Sequence, residues 1–193
     1  PSYVRNSQRS LHHPFYFNII DTKASYIAGN AITINVNSEE ETEDFKQVIK
    51  EFKKVNDFED LELEACRKVS TCGYCGRLFF ITAGNEEREI EKLRVVNIDA
   101  WNTIVEYDFE GKIIYSIRLE TDENDIEKVF KIFQYTENEV ITYSKNSKGV
   151  WEESERKFHN TGFVPFFKIQ NNNEEISDIQ RAKKHIEEYD QII

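Results

Sequence analysis

Two cysteines three residues apart, in the run Cys72-Gly73-Tyr74-Cys75, are the side chains here best suited to chemistry. Such a pair serves as a redox couple or as half of a zinc site. Thioredoxin-type pairs follow a strand and open a helix, whose N-terminal field lowers the thiol pKa. In this chain the order is reversed: an amphipathic helical pattern precedes the pair, and the strand-like run LFFIT follows it. A zinc site needs four ligands, and the sequence holds no second C-x-x-C and no H-x-x-x-H. Cys66, His159 or His185 would complete a ligand set only through tertiary placement. The expected state is structural thiols behaving as small hydrophobes. The rival reading is a thiol-dependent enzyme that pairs Cys72 or Cys75 with His159.

The remaining groups point away from catalysis. His12 and His13 are adjacent, so on a helix they project about 100° apart and chelate poorly. His13-Pro14 reads instead as a helix start. Two acidic clusters, residues 39–44 and the set Asp57, Glu59, Asp60, Glu62 and Glu64, spread over helical faces that water would solvate. There is no Gly-flanked serine nucleophile and no G-x-x-x-x-G-K-[ST] loop; CGYCG lacks the lysine and helix that a phosphate cradle requires. Tyr107, Phe109, Tyr115, Phe130, Phe133, Tyr135 and Tyr143 lack a basic groove beside them, so core packing is expected over base stacking. Catalytic, cofactor-binding and metal residues are therefore expected to be none, and the chain is not read as an enzyme.

The elements that hold these residues follow from periodicity and punctuation. Pro14 at a first helical position and Gly29 past a last turn bracket a helix over about 13–28. Its expected stripes are Phe15, Ile19 and Tyr26, with Tyr16, Ile20 and Ile27. A short strand is expected over 31–36. Ser38 with Glu41 forms a capping-box pattern for a helix over about 39–55, with Phe45, Val48, Ile49 and Phe52 on one face. Asn56 and Asp57 are expected to end it and cap the next, about 58–71, which Gly73 stops. Strands are expected at 74–82, 89–97, 102–107, 112–119, 128–135 and 140–143, with a weaker one holding Trp151 and a last one at 164–169. The short turns between them call for hairpins and a largely antiparallel or mixed sheet. An Asn-rich turn at 171–173 leads to a helix over about 178–193, capped by Ser177 with Gln180 and carrying Ile179, Ala182, Ile186 and Tyr189 as its stripe. The fold class is α+β: a strand-rich stretch over 74–169, with a set of helices before it and one helix after it, in a single domain over 1–193.

Composition sets the outer bounds. The chain has 193 residues, 39% hydrophobic and 32% charged, with 14 Phe, nine Tyr and two Trp, enough for a sizeable core. No apolar run has membrane-span length. Net charge −11, from 36 acidic and 25 basic side chains, opposes a phosphate-binding surface. Three cysteines, an odd number, point to a reducing compartment. The chain lacks Met, opens on Pro1 and closes on Ile193 inside a helical pattern, so a fragment of a longer protein is expected.

Two segments carry a family resemblance. GFVPFFKIQNNNEEISDIQRAKKHIEEYD combines a Pro-bearing apolar strand, paired Asn, an acidic turn, Ser-Asp-Ile and a long helix. HHPFYFNIIDTKASYIAGNAITI combines His-Pro-Phe, Ile-Asp-x-Lys, Tyr-hydrophobic-x-Gly and Thr-Ile. Together, and in this order, they resemble the portal proteins of tailed bacteriophages, in the branch found in long-tailed phages of Gram-positive bacteria; Gly76-Arg77 matches that family's Gly-Arg. The resemblance implies a structural, non-enzymatic subunit fragment of the ring at one capsid vertex. Genome packaging and ejection pass through that ring, which is also a platform for head and tail assembly. The fragment would correspond to the wing and the start of the approach to the stem. The implied partners of the intact protein are other portal subunits, terminase, capsid or scaffold proteins and head-completion proteins. DNA would pass through without strong binding to this fragment, and no membrane or cofactor is involved. The implied location is the virion vertex, with assembly in the host cytoplasm. A non-viral protein-interaction domain is the third reading, beside the thiol enzyme.

Overall fold

The computed structural model describes residues 14–30, 32–34, 43–82, 92–122 and 125–190. Three helices come first: α1 (Pro14–Ala28), α2 (Glu43–Val55) and α3 (Phe58–Cys72). Eight strands follow: β1 (Tyr74–Thr82), β2 (Lys92–Ile98), β3 (Thr103–Tyr107), β4 (Ile113–Asp122), β5 (Asp125–Tyr135), β6 (Glu139–Lys145), β7 (Trp151–Phe158) and β8 (Phe166–Gln170). A 3-10 turn, Ala100–Asn102, links β2 to β3, and α4 (Asp178–Asp190) comes last. The class is α+β, as expected. The strands form two antiparallel sheets, β2-β1-β8 and the meander β3-β4-β5-β6-β7.

The two sheets share one core. Leu78 of β1, Tyr135 of β5, Phe166 of β8 and Val164 just before β8 are buried together, with Phe133, Val140 and Ile113 packed around them. Tyr135 meets Phe166 edge-on at 5.6 Å between ring centroids, a favoured aromatic geometry. Ser116 Oγ donates to Phe166 O at 2.8 Å and ties the meander to β8. Gly76 lies where a Cβ would collide with the Phe166 ring and stand 2.6 Å from Thr103 Oγ1. Its role is close approach between layers, which only a residue without a side chain permits.

The helices cover the three-stranded sheet. α3 packs on β1 and β2 and is flanked by α1, α2 and α4. On α1 the buried row is Tyr16, Ile20, Ala24 and Ala28, at every fourth position. This corrects the expected stripes: Ile19, Tyr26 and Ile27 are exposed, Tyr26 by 86%. The two alanines let α1 sit close to its neighbour, a contribution that a reading based on large apolar residues overlooks. On α2, Ile49 and Phe52 are half-buried, whereas Phe45 and Val48 are exposed. Residues 39–42 and the Ser38–Glu41 capping pattern lie outside the described residues, as do 89–91 of the second expected strand. Ile32–Ile34 are irregular, so the described part of 31–36 is not a strand.

Between α2 and α3, Asn56 ends α2 and ties it to β2, and the expected side-chain cap of α3 is not formed. Its Nδ2 donates to Phe52 O at 2.9 Å and to Leu93 O at 3.0 Å, and its Oδ1 accepts from Val95 N at 2.8 Å. The amide thus bonds the β2 edge at Leu93 O and Val95 N as a neighbouring strand would, blocking pairing there. Asp57 makes no side-chain cap; it adopts the left-handed conformation, φ 44°. The expected aromatic core is only partly present. Tyr135 is buried and Phe133 packs on the core, but Phe109 is 96% exposed at a turn, and Phe130 and Tyr107 are also exposed.

Candidate functional site

Cys72 is the last residue of α3 and Cys75 the second of β1, so neither sits at a helix N-terminus. Both are buried and free. Burial pushes each thiol up to about 12, the opposite of activation. Cys66 is half-buried, and burial, then the Glu62 carboxylate, raises its pKa as well. His159 contacts Thr136 O through Nε2 at 3.2 Å and Thr161 Oγ1 through Nδ1 at 2.9 Å, neither of which is a thiol. The His185 side chain and His12 and His13 lie outside the described residues. Among the described residues no three His, Cys, Asp or Glu gather as a metal site.

The thiols therefore carry an expected outcome. At pH 8 a disulfide reagent should modify Cys66 fastest and reach Cys72 and Cys75 only on unfolding. Because the folded pKa of both thiols lies above the ordinary value of 9.0, the unfolded chain loses these protons first. Their contribution to stability is complete below about pH 9 and declines as pH rises toward 12. Rapid modification of all three thiols in the folded protein would contradict this.

Of the second acidic cluster, Asp57, Glu59, Asp60 and Glu64 are exposed, and Glu62 is turned inward. Its Oε1 lies 2.5 Å from Arg77 Nη1, with the two side chains 19% and 12% exposed. Arg77 Nε donates to Asn97 Oδ1 at 3.1 Å, and Asn97 Nδ2 donates to Leu61 O at 2.7 Å. Arg77 is thus a part-buried ion-pair member that pins α3 to β1 and β2.

The most developed polar assembly is at the root of α4, in the stretch richest in sequence signals. Gly73 ends α3 at φ 88°, donating from N to Val69 O at 2.8 Å. Its own carbonyl accepts from Asn171 N at 2.7 Å. Asn172 Oδ1 accepts from Glu174 N and Ile176 N, each at 3.0 Å, and folds the acidic turn back on itself. Glu175, left-handed at φ 57°, bonds Lys168 and Gln170. Ser177 Oγ accepts from Gln180 N at 3.0 Å, the expected cap. Lys23 of α1 reaches across, 2.7 Å from Asn171 Oδ1 and 2.6 Å from Asp178 Oδ2. Burial pushes the Asp178 carboxyl up, but hydrogen bonds from Lys23 and Asn171, with the Lys23 charge, hold it below its ordinary value. Beneath this lies a small apolar contact of Tyr16, Ile20 and Ile179.

Ser177→Ala should lower stability by about 1 kcal/mol, the usual effect of a lost N-cap. The loss should appear as a shifted denaturation midpoint with an unchanged slope; no shift would mean that the bond to Gln180 contributes nothing. Ile179 is buried as expected of the stripe, Ala182 is half-buried, and the Ile186 and Tyr189 side chains lie outside the described residues. Lys23, Asn56 and Asn97 were not legible as linking residues, since, Phe52 beside Asn56 apart, their partners stand 20 or more positions away along the chain. The sole local signal was Lys23 within Ile-Asp-x-Lys.

With this geometry in view, comparisons with known proteins gave two findings. A sequence model of the family described as phage portal protein, SPP1 Gp6-like, matches residues 3–193. The chain is also similar to the portal protein of Clostridium phage phiCD119, 24% identical over 204 residues, covering 98% of this chain and 44% of that protein. The chain therefore spans less than half the length of that relative.

Proposed function

The chain belongs to the SPP1 Gp6-like phage portal family, and from that premise we propose that it forms part of a structural subunit of the portal ring at a capsid vertex. The observation that carries this reading is the family match, which runs from residue 3 to residue 193 and includes both sequence segments and the Gly-Arg pair. The whole protein gives passage to the genome during packaging and ejection, and offers a platform to capsid, scaffold, terminase and head-completion proteins. Its place is the virion, after assembly in the host cytoplasm. The 193 residues supply a wing-like body, and α4 leads toward the stem. No described helix is long and apolar enough to cross a membrane.

The physical character of the chain supports such a role. The assembly at the root of α4 is built for fixed geometry, and the Cys72 and Cys75 thiols are buried with raised pKa values. A net charge of −11 suits a wall that DNA must pass without adhering. The same charge opposes association of the 193-residue chain alone. In sedimentation and electron microscopy, the full-length protein should form rings with a central channel, and the 193-residue chain should be largely monomeric. A full-length protein that stays monomeric while fully folded would overturn the reading.

A further inference from the structure

We propose that Lys23 is a two-pronged latch that sets the angle of α4 against α1, with Tyr16, Ile20 and Ile179 as the pivot beneath it. The inference rests on the proposed function only for its purpose, since in a portal subunit the latch would couple the wing to the path of the stem. Three features of the junction carry it. The interlock of Gly73 with Asn171, and the turn closed by Asn172, hold residues 171–176, and Asn171 Nδ2 reaches the first residue of α4 by donating to Asp178 Oδ1 at 3.0 Å. Among the described residues, the apolar contact between α1 and α4 is made by Tyr16 and Ile20 of α1 and Ile179 in the first turn of α4. Lys23 joins α1 to both sides of the bend, taking Asn171 before it and Asp178 after it. Its side chain is one-third exposed and that of Asp178 one-fifth, so the latch can open to water without dismantling the core. A lysine is suited to this: a point charge on a flexible stem that can satisfy two acceptors at once.

The test uses the full-length protein carrying Cys66→Ser, with spin labels at the exposed positions Ser25 on α1 and Glu188 on α4. The intact latch should give one narrow distance. Lys23→Met keeps the stem and removes the charge; its distance distribution should broaden or split, while the core aromatic circular dichroism is retained. Lys23→Arg should restore the narrow distance, and Asp178→Asn should reproduce the loss. An unchanged narrow distance in both Lys23→Met and Asp178→Asn would overturn the proposal. So would global unfolding of both, because the junction would then be a cornerstone of the fold and not a setting for one helix. Mixing the labelled protein with an excess of unlabelled protein confines the distance to one subunit whether or not rings form, so failure of the latch and failure of the portal reading are told apart by imaging the unsubstituted protein.

Discussion

Gly73→Ala is expected to destabilise the fold by on the order of 3–5 kcal/mol, combining left-handed strain with an overpacked contact. The residue sits at φ 88°, a conformation that L side chains rarely adopt. A Cβ there would overlap the carbonyl oxygen of Glu175 and stand 2.6 Å from its carbonyl carbon. That obstacle is backbone, so no rotamer change relieves it. Moving Glu175 away would strain a residue that is itself left-handed and would pull Asn171 N from the Gly73 carbonyl. Gly111 provides the control: its φ is 83°, but nothing lies within 4 Å of its added Cβ. Gly111→Ala should therefore show the backbone cost alone, roughly 1–2 kcal/mol. Urea unfolding of the two variants separates the effects, and equal losses would mean that the closeness of Gly73 to Glu175 does not matter. Domains of this size are stable by about 5–15 kcal/mol, so the larger loss threatens folding at 37 °C.

Gly73 also illustrates what the sequence could reveal. As a helix stop it is a local signal, and α3 with β1 behind it came out as expected, with the helix one residue longer. The Ser177 cap is local in the same way. What local patterns do not carry is the choice of partner. β8 pairs with β1 from about ninety residues away, placing Phe166 against Leu78, and this divides the strands into two sheets. Periodicity reports that a strand has two faces but not whether a second layer covers each, so Phe109 and Phe130 are exposed where a core was expected. Arg77 shows the same limit at the candidate site: a Gly-Arg before an aromatic strand is compatible with an inward ion pair or a plain surface charge, and only the approach of α3 decides.

That approach leads to the other large effect, Arg77→Met. Removing the guanidinium leaves Glu62 turned inward, 19% exposed, with its cationic partner gone and Asn97 Oδ1 without its donor. Breaking a fully buried pair from one side typically costs about 3–5 kcal/mol and a surface pair roughly 0–1 kcal/mol; for this part-buried pair the expected loss is about 2–3 kcal/mol. The pair itself need not be strongly stabilising. Both charges lose solvent on folding, and Arg77 Nη2 is buried without a hydrogen-bond partner among the described residues. Replacing both members, Arg77→Met with Glu62→Met, should therefore recover most of the loss, because α3 and β1 would then meet through apolar surface of similar volume. Denaturant unfolding of the two single variants and the double variant forms the cycle that isolates the coupling. A loss below about 1 kcal/mol for Arg77→Met alone would place the pair with surface ion pairs. A double variant as unstable as the single one would mean that Arg77 acts through Asn97 and Leu61, by ordering the α3–β2 contact, and not through its charge.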